Sequence, residues 1–182
     1  MEKRVVVTGL GVVSPVGNNV ETFWKNIVDG VCGIDFIKQV PTDGLSVKIA
    51  GEVKDFRPAD YGIEPKAARK FDRFCLFALA AANQAVAMSG LKVTDDEEDN
   101  TPGYVHSDRF GVYIGSGIGG MHSFVNETAK MLKDGPQWIS PLFIPTMIAN
   151  IAAGNVAIAH NARGVCLPIV TACATGTHSI GE

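Results

Sequence analysis

The sequence predicts an α/β protein. Apolar, β-branched runs alternate with segments of helical periodicity, no hairpin signals separate the alternating elements, and residues 146–160 form a run apolar almost all round. A helix so uniformly apolar belongs inside an α/β core, and the alternation favours a mostly parallel or mixed sheet covered on both faces.

Residues 4–11, Arg-Val-Val-Val-Thr-Gly-Leu-Gly, read as a buried first strand running into a glycine turn. Asn18 and Asn19 then offer caps for a helix over residues 20–28. Gly9-x-Gly11-x-x-Ser14 has the outline of a dinucleotide fingerprint, but Pro15 falls where that motif needs a helix already under way. No cofactor site is expected there. Residues 31–61 mix Gly, Pro and Asp with short apolar runs and read as surface loops with a small hairpin.

A long helix is expected from Glu64-Pro65 to Ser89-Gly90, with proline in the permitted first turn and glycine as its stop. Phe71, Phe74, Cys75, Ala78, Leu79 and Ala82 recur at core-facing spacing. Lys66, Arg69, Lys70 and Arg73 fall at i, i+3, i+4 and i+7, a cationic face on a chain of net charge −3. That face fits either plain solvation or docking of an acidic partner. Residues 95–100 read as a solvated acidic connection.

Residues 109–114 read as a strand entering Gly115-Ser-Gly-Ile-Gly-Gly120, which matches G-x-G-x-x-G. Two readings stay open: a nucleotide-binding dehydrogenase domain built on Gly115 and Gly120, or a turn that lets something other than phosphate approach the backbone. The acidic residue that a nucleotide site needs about 20 positions on would fall in residues 127–133, which look helical. Two prolines keep residues 139–145 from being a helix, and residues 161–164 form a turn into a last strand.

That strand stops at Thr171-Ala-Cys173-Ala-Thr-Gly176 and the pattern becomes helical again. A cysteine at a strand-to-helix corner has its sulfur near unpaired N–H groups that favour a thiolate, and the small residues around it permit a sharp turn and a close substrate carbonyl. Cys173 is the expected nucleophile. Cys32, Cys75 and Cys166 read as buried and inert, in a loop, on an apolar helix face and in a strand. Cysteine and histidine spacings match neither a metal site nor a disulfide framework. His178, five residues after Cys173, lies about 140° round a helix from it and is a poor base for that sulfur. His106, His122 and His160 likewise read as surface or packing residues. The acidic balance excludes a phosphate-binding nucleic-acid protein, and no membrane span or signal peptide is evident, so a cytoplasmic protein is expected.

These motifs, in this order and spacing, resemble the β-ketoacyl-acyl-carrier-protein synthases of type II fatty acid synthesis, the elongating synthase II kind most closely. The residues that carry the resemblance are the opening Val-Val-Val-Thr-Gly-Leu-Gly, Gly-Ser-Gly-Ile-Gly-Gly, Ser-Pro-Leu-Phe-Ile-Pro, Arg163-Gly164 and Thr-Ala-Cys-Ala-Thr-Gly. The resemblance implies a thiolase-like layered α-β-α-β-α fold, a homodimer, acyl carrier protein as partner, and no cofactor or metal. It implies a decarboxylating Claisen condensation in which Cys173 carries the acyl group and its backbone N–H is one oxyanion donor. Ile118 would line the acyl tunnel, Phe143 would reach the tunnel of the partner subunit, and Lys66, Arg69, Lys70 and Arg73 would dock the carrier.

The family's two catalytic histidines and lysine match nothing in these 182 residues. The chain then corresponds to the N-terminal half of the domain, with the C-terminal half absent. Such a half is expected to accept an acyl group at most, without condensing, or to act as a non-catalytic dimerising fragment; its exposed face is expected to aggregate or bind a partner. Cys173 argues against a non-enzymatic relative that sets chain length without a nucleophile. Pro168 is expected to limit the last strand's ladder, and Val165 stands where the family often has proline.

Overall fold

Asn19 opens the first helix as its type predicts. Its side-chain oxygen accepts a hydrogen bond from the Thr22 N–H at 2.8 Å, starting α1 (Val20–Val28). The computed structural model describes residues 4–96, 98, 99 and 101–182. They fall into two units, one made of the chain up to Gly62 with Ala80–Ser89, the other of Ile63–Leu79 with Gly90–Glu182.

In the first unit, β1 (Asp35–Phe36) pairs antiparallel with β2 (Ile49–Ala50), Asp35 opposite Ala50, which is the small hairpin expected within residues 31–61. The expected first strand does not form. Residues 4–11 carry no ladder and Val5 is 92% exposed. A strand needs a neighbour for its N–H and C=O groups, and none of the described residues supplies one. The following backbone instead satisfies itself on helical side chains: the Gln84 amide accepts from the Val12 N–H at 3.5 Å and donates to the Val12 carbonyl at 3.1 Å. Only glycine fits beside that helix, because a Cβ on Gly11 would overlap the Ala81 carbonyl oxygen.

The expected single helix over residues 64–90 is two. A short α2 (Pro65–Ala68) is followed by a turn, and α3 (Arg73–Ser89) begins afresh. Asp72 explains the break. It is buried, and its carboxylate lies 3.5 Å from the Phe74 N–H while its other oxygen accepts from the Ser123 N–H at 2.8 Å and the Ser123 hydroxyl at 2.7 Å. A residue that caps two helices in this way cannot itself continue one. Of the expected core stripe, Cys75 and Leu79 are buried, while Phe71 precedes α3 and is only half-buried.

In the second unit, β3 (Lys92–Thr94) pairs in parallel with β4 (Tyr104–His106), and β5 (Val112–Tyr113) pairs in parallel with β6 (Cys166–Leu167). The pairing is parallel as expected, but the described strands form two-stranded sheets rather than one covered sheet. The residues preceding Cys173 contribute only two positions to the ladder, and Pro168, which has no N–H to donate, follows directly. The acidic connection does more than connect. Asp95 accepts from Asn161 at 3.1 and 3.2 Å and pairs with Arg163 at 3.2 Å, and hydrogen bonding, first from Ser107, lowers its pKa. Glu97 and Asn100 of that predicted loop lie outside the described residues.

α4 (Met121–Asp134) follows the glycine turn. Residues 139–145, expected to be non-helical, run into α5 (Phe143–Met147), which contains Pro145. Pro145 is the third residue of that helix, where an N–H would have no intrahelical acceptor, so proline costs little. The apolar helix expected over residues 146–160 is shorter: Ile148 is extended, at φ −62° and ψ 137°, and α6 spans Ile151–Ala159. The interruption leaves the Met147 carbonyl free to accept from the Gly120 N–H at 2.8 Å. Ala152, Ala153, Val156 and Ala157 of α6 are buried, and α6 packs on β5 and β6. Asn155 of the same helix hydrogen-bonds the buried Cys75 thiol. No helix among the described residues is long and apolar enough to cross a membrane.

Candidate active site

Beyond β6 the chain reaches Thr171, makes a single turn over Ala172–Ala174, and enters α7 (Thr175–Gly181). Ala172 adopts φ 49°, a left-handed conformation that crowds its Cβ against the following carbonyl and costs about 1–2 kcal/mol. The corner is closed by local hydrogen bonds. The Thr171 N–H donates to the Thr175 hydroxyl at 2.9 Å, the Ala174 N–H donates to the Thr171 carbonyl at 3.1 Å, and the Thr171 hydroxyl lies 2.8 Å from His178 Nδ1. Cys173 stands exposed at its apex, and among the described residues no acceptor takes its backbone N–H. His178 is exposed, as the surface reading expected, and its ring meets the Thr171 hydroxyl rather than the Cys173 sulfur.

The second motif lies against the first. Gly115 passes so close to the chain before the corner that a Cβ would overlap the Ile169 carbonyl oxygen and the Thr175 methyl group. Glycine is needed there for close approach of one backbone to another. Between them lies an open cleft of about 460 Å³, bordered by Tyr113, Gly115 and Gly117 on one side and Ala172, Thr175, Gly176 and Ser179 on the other. Ile118, in the same glycine turn, is 69% exposed.

The nucleotide reading of this turn fails on geometry. A bound phosphate would need the free N–H groups at the start of α4, but the Asp72 carboxylate already accepts from Ser123 N–H there. An anion placed beside that carboxylate would be repelled rather than held.

Phe143 begins α5, half-buried, with its ring 6.2 Å from that of Phe124 on α4. The basic residues do not share one helical face, because the helix breaks between them. Lys66 is on α2, Arg69 ends it, Lys70 lies in the turn and Arg73 starts α3 with its guanidinium 5.0 Å from the Phe77 ring centroid. Lys66, Arg69 and Lys70 are exposed and Arg73 is half-buried. Cys32 and Cys166, expected to be buried, are exposed, since one lies in a loop and the other on a strand with a neighbour on one side only. Among the described residues no three His, Cys, Asp or Glu side chains gather to hold a metal ion.

Sequence reasoning missed Thr171, Thr175 and Asp72 as parts of this arrangement. The signal for Asp72 was available, a lone acidic residue in a basic and apolar stretch; the Thr171–His178 contact spans a corner that no periodicity describes.

The family model of the β-ketoacyl synthase N-terminal domain matches residues 2–182. The 3-oxoacyl-[acyl-carrier-protein] synthase 2 of Staphylococcus aureus strain N315 is 47% identical over 180 residues, covering 99% of this chain and 41% of that protein. The chain therefore spans about two fifths of the length of this relative. Among solved structures, the ishigamide ketosynthase/chain length factor superposes with a TM-score of 0.74 at 26% identity, covering 91% of this chain and 39% of the other. A ketosynthase solved in complex with a type II PKS acyl-carrier protein gives a TM-score of 0.73 at 24% identity over all of this chain and 46% of its own. The fold is thus the thiolase-like one of the ketosynthases. With the glycine turn set against an exposed cysteine corner and the family model matched from residue 2 to 182, this chain belongs to the β-ketoacyl synthase family, as its N-terminal domain.

Proposed function

We propose that this chain is the acyl-accepting portion of a 3-oxoacyl-acyl-carrier-protein synthase, with residues 1–182 as the N-terminal half of its catalytic domain. The observation that carries the reading is the apex of the corner, where Cys173 is exposed, no described acceptor takes its N–H, and the adjoining Ala172 borders the cleft. The Cys173 sulfur attacks the thioester carbonyl of an acyl group on its carrier protein. A carbon–sulfur bond forms, the carbonyl oxygen takes the negative charge, and the Cys173 N–H stabilises it. Such a donor is worth about 3 kcal/mol of barrier. Collapse expels the carrier's sulfur, which takes the proton that Cys173 lost, and the acyl group stays on Cys173. In the whole synthase, a malonyl group on its carrier loses carbon dioxide and the resulting carbanion attacks this thioester carbonyl; the carbon–sulfur bond to Cys173 breaks, the Cys173 thiolate leaves and takes up a proton, and a 3-ketoacyl chain two carbons longer remains on the carrier. Covalent catalysis divides one difficult step into two easier ones.

Ile118, exposed on the turn that borders the cleft, would contact the acyl chain, and Phe143 would do so from the partner subunit of a homodimer. The exposed Lys66, Arg69 and Lys70, with the half-buried Arg73, would offer positive charge along residues 66–73 to the acidic carrier, steering encounter more than adding affinity. The cytoplasm, where carrier-bound acyl chains are made, is the proposed location.

The test is direct. Incubation with acyl-loaded carrier protein is expected to add one acyl mass to Cys173, read by intact-mass and peptide mass spectrometry, and Cys173→Ala is expected to take up none. Acyl uptake on other residues alone, or none on Cys173, would overturn the reading.

A further inference from the structure

Thr171 has no place in the acyl-transfer chemistry, yet each of its polar groups is engaged around the corner. Its N–H goes to the Thr175 hydroxyl at 2.9 Å, its carbonyl accepts from Ala174 at 3.1 Å, and its hydroxyl meets His178 Nδ1 at 2.8 Å. Two of these ties reach α7, one to its first residue and one a turn further along. The residue between Thr171 and Cys173 is Ala172, held at a positive φ that an alanine does not adopt unaided. A strained residue persists where its surroundings over-determine it, and here those surroundings are hydrogen bonds made by one threonine.

We infer that Thr171 is a positioning residue, and that its hydroxyl contact with His178 serves to keep the Ala172 turn closed and to hold Cys173 in its exposed position next to Ala172, which borders the cleft. This deepens the acyl-transfer reading and rests on it. The imidazole acts as an anchor on α7 rather than as a base for the sulfur. Loss of the anchor lets Ala172 relax toward an ordinary negative φ, which rotates the Cys173 side chain and its N–H away together. Nucleophile and oxyanion donor are then lost as a unit, so the effect falls on the transfer step rather than on carrier binding.

The experiment compares the natural chain with Thr171→Val, Thr171→Ser and His178→Ala, reading the rate of Cys173 acylation by acyl-carrier protein and, in parallel, the rate of Cys173 alkylation by iodoacetamide. Thr171→Val keeps the shape and removes the hydroxyl; it is expected to slow acylation about tenfold or more at saturating carrier, with the thermal midpoint unchanged. Thr171→Ser restores the hydroxyl and is expected to recover most of the rate. His178→Ala is expected to match Thr171→Val, and the double variant to lose no more than either single one, as for two residues acting through one contact. Equal acylation rates for the natural chain and Thr171→Val, or additive losses in the double variant, would overturn the inference. If the natural chain takes up no acyl group, the proposed function fails by itself. The iodoacetamide rates then decide the clamp: the same order among the four proteins supports it, and identical rates sink it.

Discussion

Cys75 lies on α3 with no exposed surface, its thiol hydrogen-bonded to Asn155 of α6, and burial pushes its pKa up to about 11; Cys173 stands exposed beside a backbone bent through φ 49°. Both belong to the same unit of the fold. Helical periodicity places Cys75 inward, where desolvation disfavours its charged form, so it behaves as a small hydrophobe. No periodicity places Cys173. A turn of small residues, closed by Thr171 and pressed by Gly115, pushes that sulfur out of the packed region. The lesson is that a cysteine is made available by backbone geometry at its own position, and silenced by packing around it.

Differential alkylation tests the contrast most strongly. In the native protein Cys173 is expected to react with iodoacetamide at least about 10³-fold faster than Cys75, whose reaction waits for unfolding, and denaturant should bring the two together. Similar native rates would erase the distinction. Next in size is Gly115→Ala. Its added methyl meets the Ile169 carbonyl and the Thr175 side chain, and thermal or denaturant unfolding should show a loss of about 3 kcal/mol, with the Cys173 corner disturbed and Cys75 still buried. Unchanged stability would mean that the two motifs are not pressed together.

Asp72→Ala removes the acceptor shared by Phe74 and Ser123 and should cost about 1–2 kcal/mol in the same assay. Because Asp72 begins the helix that carries Cys75, hydrogen exchange should rise at the starts of α3 and α4 before it rises at the corner.

The smallest effect is in pH. The folded state holds the Cys75 thiol protonated up to about 11 against an ordinary 9.0, so between those values the folded protein binds the extra proton. The stability Cys75 contributes is present below pH 9 and falls as pH rises from 9 through about 11. Cys75→Ala should flatten that part of the profile, and an unchanged slope would show that another group sets it.

Much of the site was legible in the chain itself. Cys173 among small residues, the glycine turn at residues 115–120 and the Asn19 cap all follow from local stereochemistry, which needs only neighbouring residues. The basic cluster was legible as composition but not as geometry, because the helix expected to align Lys66 through Arg73 breaks at Asp72. The strand expected over residues 4–11 failed for a related reason. Its apolar pattern announces burial between neighbours, and a pattern cannot supply the neighbours.

Amino-acid sequence alone determined the α/β alternation, the Asn19 cap, the glycine positions and the choice of Cys173 as the proposed nucleophile, since each depends on the covalent and steric character of residues close along the chain. Only tertiary structure decided that Asp72 occupies the start of α4, that Met147 turns its carbonyl to Gly120, and that Thr171 and His178 meet across the corner. Those are contacts between groups 7 to 51 residues apart, and hydrogen-bond geometry in the folded chain, which no local pattern encodes, selects them.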